Sequence, residues 1–593
     1  MTGFRVERFA FSRDAAKTWG QVDPAHMNWP VVYVLDSGAT RGRRSAAVYV
    51  GETRSAATRV RQHLSSPSKR GAGLDTVRVV IDDSFNTSVC LDLESHLIRW
   101  IDGDGRFSLL NSNGGIVDAD YYDRERYRES FREIFEELRR EGIFSRSIPE
   151  IENSDLFKLS PYKALTEDQA VAVDQIVEDL LNDRLDARPM EHPLRVVEGH
   201  PGTGKTVVAI YIMKLLADIR ASTDLSDVNP DTMFADLFTA ENRDALAGLR
   251  MGLVVPQQSL RLSIKRVFAR TRGLSADMVL TPFEVATTPE PFDLLLVDEA
   301  HRLSQRANQS SGPMNKKFID INVTLFGEDD YSKTHLNWIL ARSRNQILFL
   351  DADQTVRPAD LPPEVTKQLV ADSRRHHRHY PLHSQMRVIG GQDYITFARR
   401  LTRGEIGLDD NFSFPEYDLR VFDDVGAMRD AIFARDDEEG LARLVAGYAW
   451  EWASRKDAST HDIELDGVKM TWNRTIKDWI SSPGSLSEVG SIHTVQGYDL
   501  NYAGVIIGPD LRFDPETRSV YVDRDAYKDA RGKENNKMLK RVYSDEEITT
   551  YISNIYAVLL TRGIRGTYVY VCDPELREYV RHVFARTVAL VEH

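Results

Sequence analysis

Leu194-Arg-Val-Val-Glu198 followed by Gly199-His-Pro-Gly-Thr-Gly-Lys-Thr206 is the stretch that decides the fold. Its first part predicts a short buried strand, and the apolar run from Val207 to Leu216 predicts a helix. Between them, glycines allow backbone N–H groups to turn inward around phosphates, and the helix N-terminus adds positive dipole. The order strand, loop and helix therefore predicts a phosphate-binding loop. Its nucleotide-binding residues are predicted to be Gly199, Gly202, Thr203, Gly204, Lys205 and Thr206.

A second strand, Phe292–Val297, ends in two adjacent carboxylates, Asp298 and Glu299. Ligands of parallel sheets bind at the carboxyl ends of the strands, so these acids are expected beside the phosphate-binding loop. With the Thr206 hydroxyl, Asp298 would hold Mg²⁺, directly or through water. Glu299 would orient or deprotonate the attacking water, because phosphoryl transfer depends mainly on positioning and charge neutralisation. The pair therefore predicts ATP hydrolysis.

A third strand, Gln346–Leu350, runs into Asp351-Ala-Asp-Gln354. This segment resembles motif III of superfamily 1 helicases. The resemblance implies that Gln354 senses the γ-phosphate of ATP. Leu350 stands where the family usually has glycine, which leaves the geometry of this loop open.

Further segments resemble the other helicase motifs and follow the family's order along the chain. They are Leu165–Gln169 (Q motif), Val254–Leu260 (motif Ia), His383–Arg387 (motif IV), Ser491–Asp499 (motif V) and Tyr556–Arg562 (motif VI). The resemblance implies that Gln169 reads the adenine. It also implies that Arg387 and Arg562 reach across a domain cleft to the γ-phosphate, as arginine fingers do. Within the helicases, residues 160–575 are most similar to the Schlafen-type branch.

The N-terminal region carries a second pattern. Val31-Val-Tyr33 and Tyr49-Val-Gly51 suit adjacent strands, and Thr58–Leu64 has helical rhythm. This order resembles the GIY-YIG nucleases. The resemblance implies a site built from Tyr33, Tyr49, Arg59, His63, Glu94 and Asn111, with Glu94 as its metal ligand.

The chemistry of a nuclease suits these residue types. Glu94 would hold one Mg²⁺ at the leaving oxygen, Arg59 would neutralise the phosphorane, and Tyr33, aided by Tyr49 or His63, would position or deprotonate water. Val-Val-Tyr replaces Gly-Ile-Tyr, however, and the segment between the two tyrosine motifs is longer than usual. A domain that binds nucleic acid without cutting it therefore stays open.

Composition narrows the class of protein. The net charge of the 593 residues is −14, but residues 1–70 hold 12 Lys/Arg against five Asp/Glu, which favours a local nucleic-acid footprint. Only Cys90 and Cys572 are present, so neither a disulfide framework nor a cysteine zinc site is supported. No signal-like or bilayer-length apolar run is apparent, and we expect a soluble cytoplasmic protein.

The predicted fold class is α/β, with two RecA-like P-loop domains preceded by a small α+β GIY-YIG-like domain. The predicted boundaries are 1–145 for the nuclease-like domain, 146–160 for a linker, 161–380 for the first RecA-like domain and 381–593 for the second. Polar segments near 221–248 and 400–490 are interpreted as insertions.

The favoured function is an ATP- and Mg²⁺-dependent translocase or helicase that delivers nucleic-acid strands to an attached nuclease. DNA is favoured over RNA as the substrate. The architecture suits DNA processing or defence against foreign DNA. Two alternatives remain: an ATP-gated protein whose N-terminal domain recognises nucleic acid without cleaving it, and a nuclease that ATP binding restrains as a switch. Strand cleavage that requires Glu94 separates the first alternative from the favoured function.

Overall fold

The computed structural model describes residues 3–38, 46–66, 69, 71–111, 121–185, 194–222, 234–307, 312–351, 354–386, 388–407, 409–475, 479–495 and 498–589. The chain divides into two compact units. One combines Met1–Arg188, Val207–Gly248 and Ser263–Met278, and the other combines Pro189–Thr206, Leu249–Leu262 and Val279–His593. None of the helices in the described ranges has both the length and the apolar composition of a membrane span.

The strands form three larger sheets and one hairpin. In chain order they are β1 Phe4–Ala10, β2 Val31–Asp36, β3 Ala46–Thr53, β4 Thr76–Asp82, β5 Phe107–Leu109, β6 Leu194–Gly199, β7 Met251–Val254, β8 Val279–Leu280, β9 Phe292–Val297, β10 Ser343–Leu350, β11 His379–Leu382, β12 Asp418–Phe422, β13 Ala442–Ala446, β14 Ile463–Leu465, β15 Val468–Trp472, β16 Glu488–Ser491, β17 Leu500–Ile507, β18 Leu511–Asp514, β19 Ser519–Val522 and β20 Gly563–Val571.

Helices connect most of the strands. They are α1 Arg13–Trp19, α2 Ala25–Asn28, α3 Ala56–Ser65, α4 Thr87–Asp104, α5 Arg124–Arg140, α6 Ile148–Glu152, α7 Asp155–Lys158, α8 Glu167–Leu185, α9 Lys205–Ala221, α10 Ala240–Ala245, α11 Gln258–Phe268, α12 Pro282–Thr287, α13 Gly312–Phe326, α14 His335–Ala341, α15 Pro363–Arg375, α16 Gly391–Thr402, α17 Val425–Glu439, α18 Ile492–Val495, α19 Asp545–Leu560 and α20 Pro574–Ala589.

The N-terminal sheet has the strand order β1-β4-β2-β3-β5 and is antiparallel except for the β3–β5 pair. Successive side chains of a strand point to opposite faces. Val32 and Val34 of β2 accordingly join the apolar cluster of α4 and α5, while Tyr33 and Leu35 join the cluster of α1 and α3. Because helices cover both faces, β2 is buried along its whole length.

Residues 146–160 do not form the predicted linker. Helices α6 and α7 lie in this segment, and Ile151 is fully buried in the core of the N-terminal sheet. The Ser160 hydroxyl donates a hydrogen bond to Asp102 at the end of α4, at 2.6 Å. Its charged residues make the segment polar in composition, but only Glu150 and Glu152 among them are exposed, so composition alone misled the prediction of a linker.

The sheet that carries the phosphate-binding loop is entirely parallel, with the order β11-β6-β10-β9-β7-β8. Strands β6, β10 and β9 are neighbours, so the loop, the Asp351 segment and the Asp298–Glu299 pair follow adjacent strand ends. The sheet includes β11, so it extends to Leu382. The predicted boundary at residue 380 therefore falls inside a strand.

The other large sheet has the order β12-β20-β17-β13-β16-β15-β14. Its pairs are parallel except for the β14–β15 hairpin. Residues 400–490, interpreted from their polarity as an insertion, supply five of these seven strands, β12 to β16. That interpretation was wrong, because the short strands of this region are separated by long polar connections that mask the apolar pattern.

Candidate functional site

The loop after β6 turns sharply around its glycines. Gly202 and Gly204 have φ values of 86° and 78°, in the left-handed region that side chains rarely adopt. A Cβ at Gly199 would lie within van der Waals overlap of the Thr203 hydroxyl. Thr203 Oγ1 in turn donates a hydrogen bond to the carbonyl oxygen of His200 at 2.9 Å. The loop conformation therefore depends on glycine at these positions.

The side chains at the start of α9 are already engaged. Nζ of Lys205 donates hydrogen bonds to the carbonyl oxygens of Gly199 at 2.6 Å and His200 at 3.0 Å. Oγ1 of Thr206 donates to Oδ2 of Asp298 at 2.7 Å. Two residues predicted from separate motifs are thus in direct contact at adjacent parts of one sheet edge.

The two carboxylates of the acidic pair have pKa values shifted in opposite directions. Burial, together with the neighbouring Glu299, raises the pKa of Asp298 to about 7. Burial also acts to raise the pKa of Glu299, but His301 and Arg302 hold that pKa well below its ordinary range. Oε2 of Glu299 lies 3.0 Å from Nε2 of His301 and 3.2 Å from Nε of Arg302. Glu299 is therefore the ionised member of the pair at neutral pH.

His301 connects two of the strand ends. Its ring is fully buried, and Nδ1 accepts a hydrogen bond from the backbone N–H of Asp351 at 3.2 Å. Since Nδ1 accepts, the ring proton is on Nε2, which faces Glu299. His301 and Arg302 were not predicted as functional residues. Their position directly after the acidic pair was the available signal.

Gln354 and the motif IV segment lie in the same unit. Gln354 is buried, and its Nε2 has no hydrogen-bond partner among the described residues. Arg387 lies outside the described residues. The two residues before it contact the phosphate-binding loop. Nε2 of Gln385 donates to the carbonyl oxygen of Pro201 at 2.6 Å, and the backbone N–H of Met386 donates to the carbonyl oxygen of Gly202 at 3.0 Å.

Arg562 is buried at the end of α19. Its guanidinium donates hydrogen bonds to the carbonyl oxygens of Val558 and Tyr498, each at 3.2 Å. Gln169 lies in the other unit, where it is buried at the start of α8 and accepts a hydrogen bond from the N–H of Thr166 at 3.1 Å.

Sequence reasoning also missed Arg399 of α16. Nη2 of Arg399 donates to Oδ2 of Asp351 at 2.9 Å, and Nη1 lies 3.1 Å from Nδ1 of His200. One guanidinium thus joins the phosphate-binding loop to the Asp351 segment. No helicase-motif pattern in the sequence marked this position.

The two N-terminal tyrosine motifs lie on β2 and β3, which are adjacent antiparallel strands. In the β2–β3 register, Tyr33 lies opposite Gly51 and Leu35 lies opposite Tyr49. A Cβ at residue 51 would overlap the Tyr33 ring, so glycine is required there. Nε2 of His63, from α3, is 2.7 Å from the Tyr33 hydroxyl, and the rings of Tyr49 and His63 are 5.0 Å apart.

Arg59 and Glu94 act electrostatically on the same tyrosines. Burial raises the pKa of Tyr33 well above its ordinary value and that of Tyr49 to about 12, while the positive charge of Arg59 opposes both shifts. Burial, together with Glu52, raises the pKa of Glu94 to about 8. Glu52 was not predicted; its position directly after Gly51 was the available signal.

His63 is held neutral. Burial, with the positive charges of Lys69 and Arg59, lowers the pKa of His63 to about 3. Lys69, which was also not predicted, has its ammonium 2.9 Å from the centroid of the Tyr49 ring.

Within the described ranges, the side chain of Asn111 contacts the site through the backbone of β3. Its Oδ1 accepts from the N–H of Val50 at 3.1 Å, and its Nδ2 donates to the carbonyl oxygen of Val50 at 2.8 Å. The side-chain amide thus pairs with the strand residue next to Tyr49. Asn111 therefore stabilises the backbone of β3 beside Tyr49.

A glycine-rich loop between strand and helix, beside an acidic pair on a parallel sheet, defines the class as a P-loop nucleoside triphosphatase fold. Residues 193–573 match the family described as the Schlafen group 3 DNA/RNA helicase domain. This match covers more than half of the chain, which therefore belongs to the Schlafen group 3 helicase family. The predicted resemblance to Schlafen-type helicases is confirmed.

The individual proteins and solved structures that resemble this chain share 27% sequence identity with it or less. A Saccharomyces cerevisiae protein, "Uncharacterized protein YPL245W", is 27% identical over 422 residues, covering 65% of this chain and 84% of that protein. Bacteroides Pif1 helicase, solved with ADP-AlF3 and ssDNA, is 11% identical with a TM-score of 0.25, covering 72% of this chain and 98% of that one. Mss116p, solved with ssRNA and AMP-PNP, is 11% identical with a TM-score of 0.25, covering 72% and 76%. At such TM-scores, the family assignment rests on the sequence match alone.

Proposed function

We propose that this chain is an ATP-dependent nucleic-acid translocase or helicase, coupled to a metal-dependent phosphodiesterase of the GIY-YIG type in residues 1–145. The observation that carries the ATPase part is the 2.7 Å contact between Thr206 and Asp298, with an ionised Glu299 beside it. This arrangement joins a phosphate-binding loop, a metal-ligand pair and a base at one sheet edge.

The donor set at this edge fits Mg²⁺. The Thr206 hydroxyl and the Asp298 carboxylate are hard oxygen ligands, and a cation would favour the ionised form of a carboxylate whose pKa burial has raised. When bound, Mg²⁺ supplies charge compensation to the phosphates.

Residues of the chain would bind the phosphates, activate the attacking water and neutralise the developing charge. Lys205 would exchange its hydrogen bonds to two loop carbonyls for phosphate oxygens, and Glu299 would accept a proton from the attacking water or orient it. The amide nitrogen of Gln354, which has no hydrogen-bond partner in the described part of the chain, could donate to the γ-phosphate. Arg387 and Arg562 would neutralise the charge that develops on it.

The ATPase proposal is tested by phosphate release with and without single-stranded DNA, duplex DNA and RNA, over a range of salt concentrations. We expect stimulation by nucleic acid that weakens with salt, because the contacts are to backbone phosphates. Lys205→Ala should abolish turnover, whereas the exposed Lys367→Ala serves as a control. Equal rates in wild type and Lys205→Ala would remove the motor assignment.

A nuclease is supported by a separate observation. The Tyr33 hydroxyl lies 2.7 Å from a neutral His63, and Arg59 and Glu94 influence the same tyrosine. We infer that Tyr33, aided by Tyr49 or His63, positions or deprotonates the attacking water, and that the neutral His63 ring orients the Tyr33 hydroxyl by a hydrogen bond. Arg59 would neutralise charge on the phosphorane.

Glu94 fits a divalent cation. Its carboxylate has a pKa raised to about 8 by burial and Glu52, and a bound cation would relieve both effects. No group of three or more His, Cys, Asp or Glu among the described residues could hold a metal. Substrate and water oxygens would therefore complete the shell of a bound Mg²⁺, which supplies charge compensation at the leaving oxygen.

One assay separates the readings. Labelled single-stranded, duplex and forked DNA and RNA are incubated with the protein, with and without ATP and Mg²⁺. We expect DNA cleavage that requires Mg²⁺ and strand movement that requires ATP. Strand separation without any cleavage would favour an N-terminal domain that only binds. Cleavage that responds to nucleotide without any strand movement would favour the switch.

A further inference from the structure

Arg399 lies on helix α16, which packs in the core of the seven-stranded sheet that runs from β12 to β14. Tyr394, Phe397 and Leu401 of α16 are buried in that core. The Tyr394 hydroxyl donates a hydrogen bond to the carbonyl oxygen of Leu560, at 2.9 Å, two residues before Arg562. The helix that carries Arg399 is thus attached to the helix that leads into motif VI.

The guanidinium of Arg399 reaches from this helix to the other sheet of the same unit. Its two terminal nitrogens contact Asp351 at 2.9 Å and His200 at 3.1 Å. Because arginine presents donors in a fixed planar fork, one side chain holds both groups in a defined relative position. His200 belongs to the phosphate-binding loop, and its carbonyl oxygen receives hydrogen bonds from Lys205 and Thr203.

Asp351 is also hydrogen-bonded to Gln354 through the backbone. The N–H of Gln354 donates to the carbonyl oxygen of Asp351 at 3.3 Å, and the N–H of Asp351 donates to His301. His301 in turn lies beside Glu299. Fixing Asp351 therefore fixes a residue that contacts both Gln354 and His301.

We propose that Arg399 is a positioning residue for ATP turnover: it aligns Asp351 and Gln354 with the phosphate-binding loop and links both to α19, the helix that leads into motif VI. This inference rests on the proposed ATPase function. Arg399 acts through the imidazole ring of His200 and the carboxylate of Asp351, whereas Lys205 contacts the carbonyl oxygens of Gly199 and His200 and Thr206 contacts Asp298. Its loss should therefore impair turnover more than nucleotide binding.

The neighbouring Arg400 provides a matched control on the same helix. Its guanidinium pairs with Asp410 at 2.6 and 2.8 Å, away from His200 and Asp351. Arg399→Ala should lower kcat by about 10- to 100-fold, the range expected when catalytic groups are misplaced by about 1 Å. The KM for ATP should change less than about threefold, as should the Kd of a fluorescent ATP analogue measured without turnover.

Arg399→Lys should recover part of the lost kcat, because an ammonium can pair with Asp351 but lacks the fork that also reaches His200. In a double-mutant cycle, Arg399→Ala and Asp351→Asn should be non-additive. Arg400→Ala should keep wild-type kcat and KM.

Several results would overturn the inference: wild-type kcat in Arg399→Ala, an equal loss in Arg400→Ala, or parallel losses of kcat and analogue binding that Arg399→Lys does not relieve. Absence of ATP hydrolysis by the wild-type protein would instead refute the proposed function. The two failures are therefore distinguishable.

Discussion

Glu299→Gln isolates the carboxylate that the site holds in ionised form. The substitution preserves the size of the side chain and its position after β9, but removes the charge that contacts His301 at 3.0 Å and Arg302 at 3.2 Å. An amide can still accept a hydrogen bond from one of these groups. It cannot serve as a base for the attacking water.

Two effects of different size follow. Loss of general-base catalysis costs about 10²- to 10⁴-fold in turnover, or about 3–5 kcal/mol of barrier. Loss of a charge-assisted hydrogen bond to buried partners costs about 1.5–3 kcal/mol of folding stability. The protein should therefore remain folded and bind ATP while hydrolysis nearly stops.

The assay combines phosphate release, binding of a fluorescent ATP analogue and thermal unfolding. Glu290→Gln is the matched control, because Glu290 lies just before the same strand with an 86% exposed side chain. Hydrolysis by Glu299→Gln above about a tenth of the wild-type rate would show that Glu299 is not the base. Loss of analogue binding would show that the substitution disrupts the loop itself.

Other predictions concern separate parts of the chain. Arg562→Ala should bind ATP but lose turnover by about 10³-fold or more if it acts as an arginine finger; near-normal hydrolysis would contradict closure of the two RecA-like halves. Glu94→Ala and Arg59→Ala should abolish Mg²⁺-dependent nicking of plasmid DNA and leave the ATPase intact, with the exposed Arg61→Ala as control; persistent nicking would place the nuclease elsewhere. Burial, with Arg357, lowers the pKa of His335 to about 3, so the unfolded chain takes up a proton below about pH 6.5 that the folded chain does not. Stability should therefore fall by about 1.6 kcal/mol between pH 6.5 and 5 through this group, and urea unfolding of His335→Gln should show that much less pH dependence.

The sequence patterns that predict the nucleotide site are local ones. The loop, the acidic pair and Gln354 each follow a short apolar strand, and parallel strands bring their carboxyl ends together without further information. Arg399 could not be predicted in this way. It sits in an amphipathic helix, and its contacts depend on how two sheets pack.

The errors in domain organisation arose because segments were judged by their average polarity. Residues 146–160 and 400–490 are polar in composition, but Ile151 in the first and Trp472 in the second are buried in cores. Composition averages over a segment, whereas burial is decided by a few positions in it. Trp472, for example, packs against Tyr448 with the rings 5.6 Å apart.

The folded state of residues 146–160 has a practical consequence for dividing the protein. Asp155 accepts hydrogen bonds from Ser263 and Arg266, each at 2.6 Å, and Ile151 fills the core beside α4, the helix of Glu94. A fragment cut at residue 145 would expose that apolar surface and lose the Asp155–Arg266 ion pair and the hydrogen bond from Ser263, so aggregation rather than an active nuclease is the expected product. Gene fusions, tags and protease sites are better placed elsewhere than at this junction. By the same reasoning, recombination that exchanges the N-terminal domain between related genes must carry the two short helices with it.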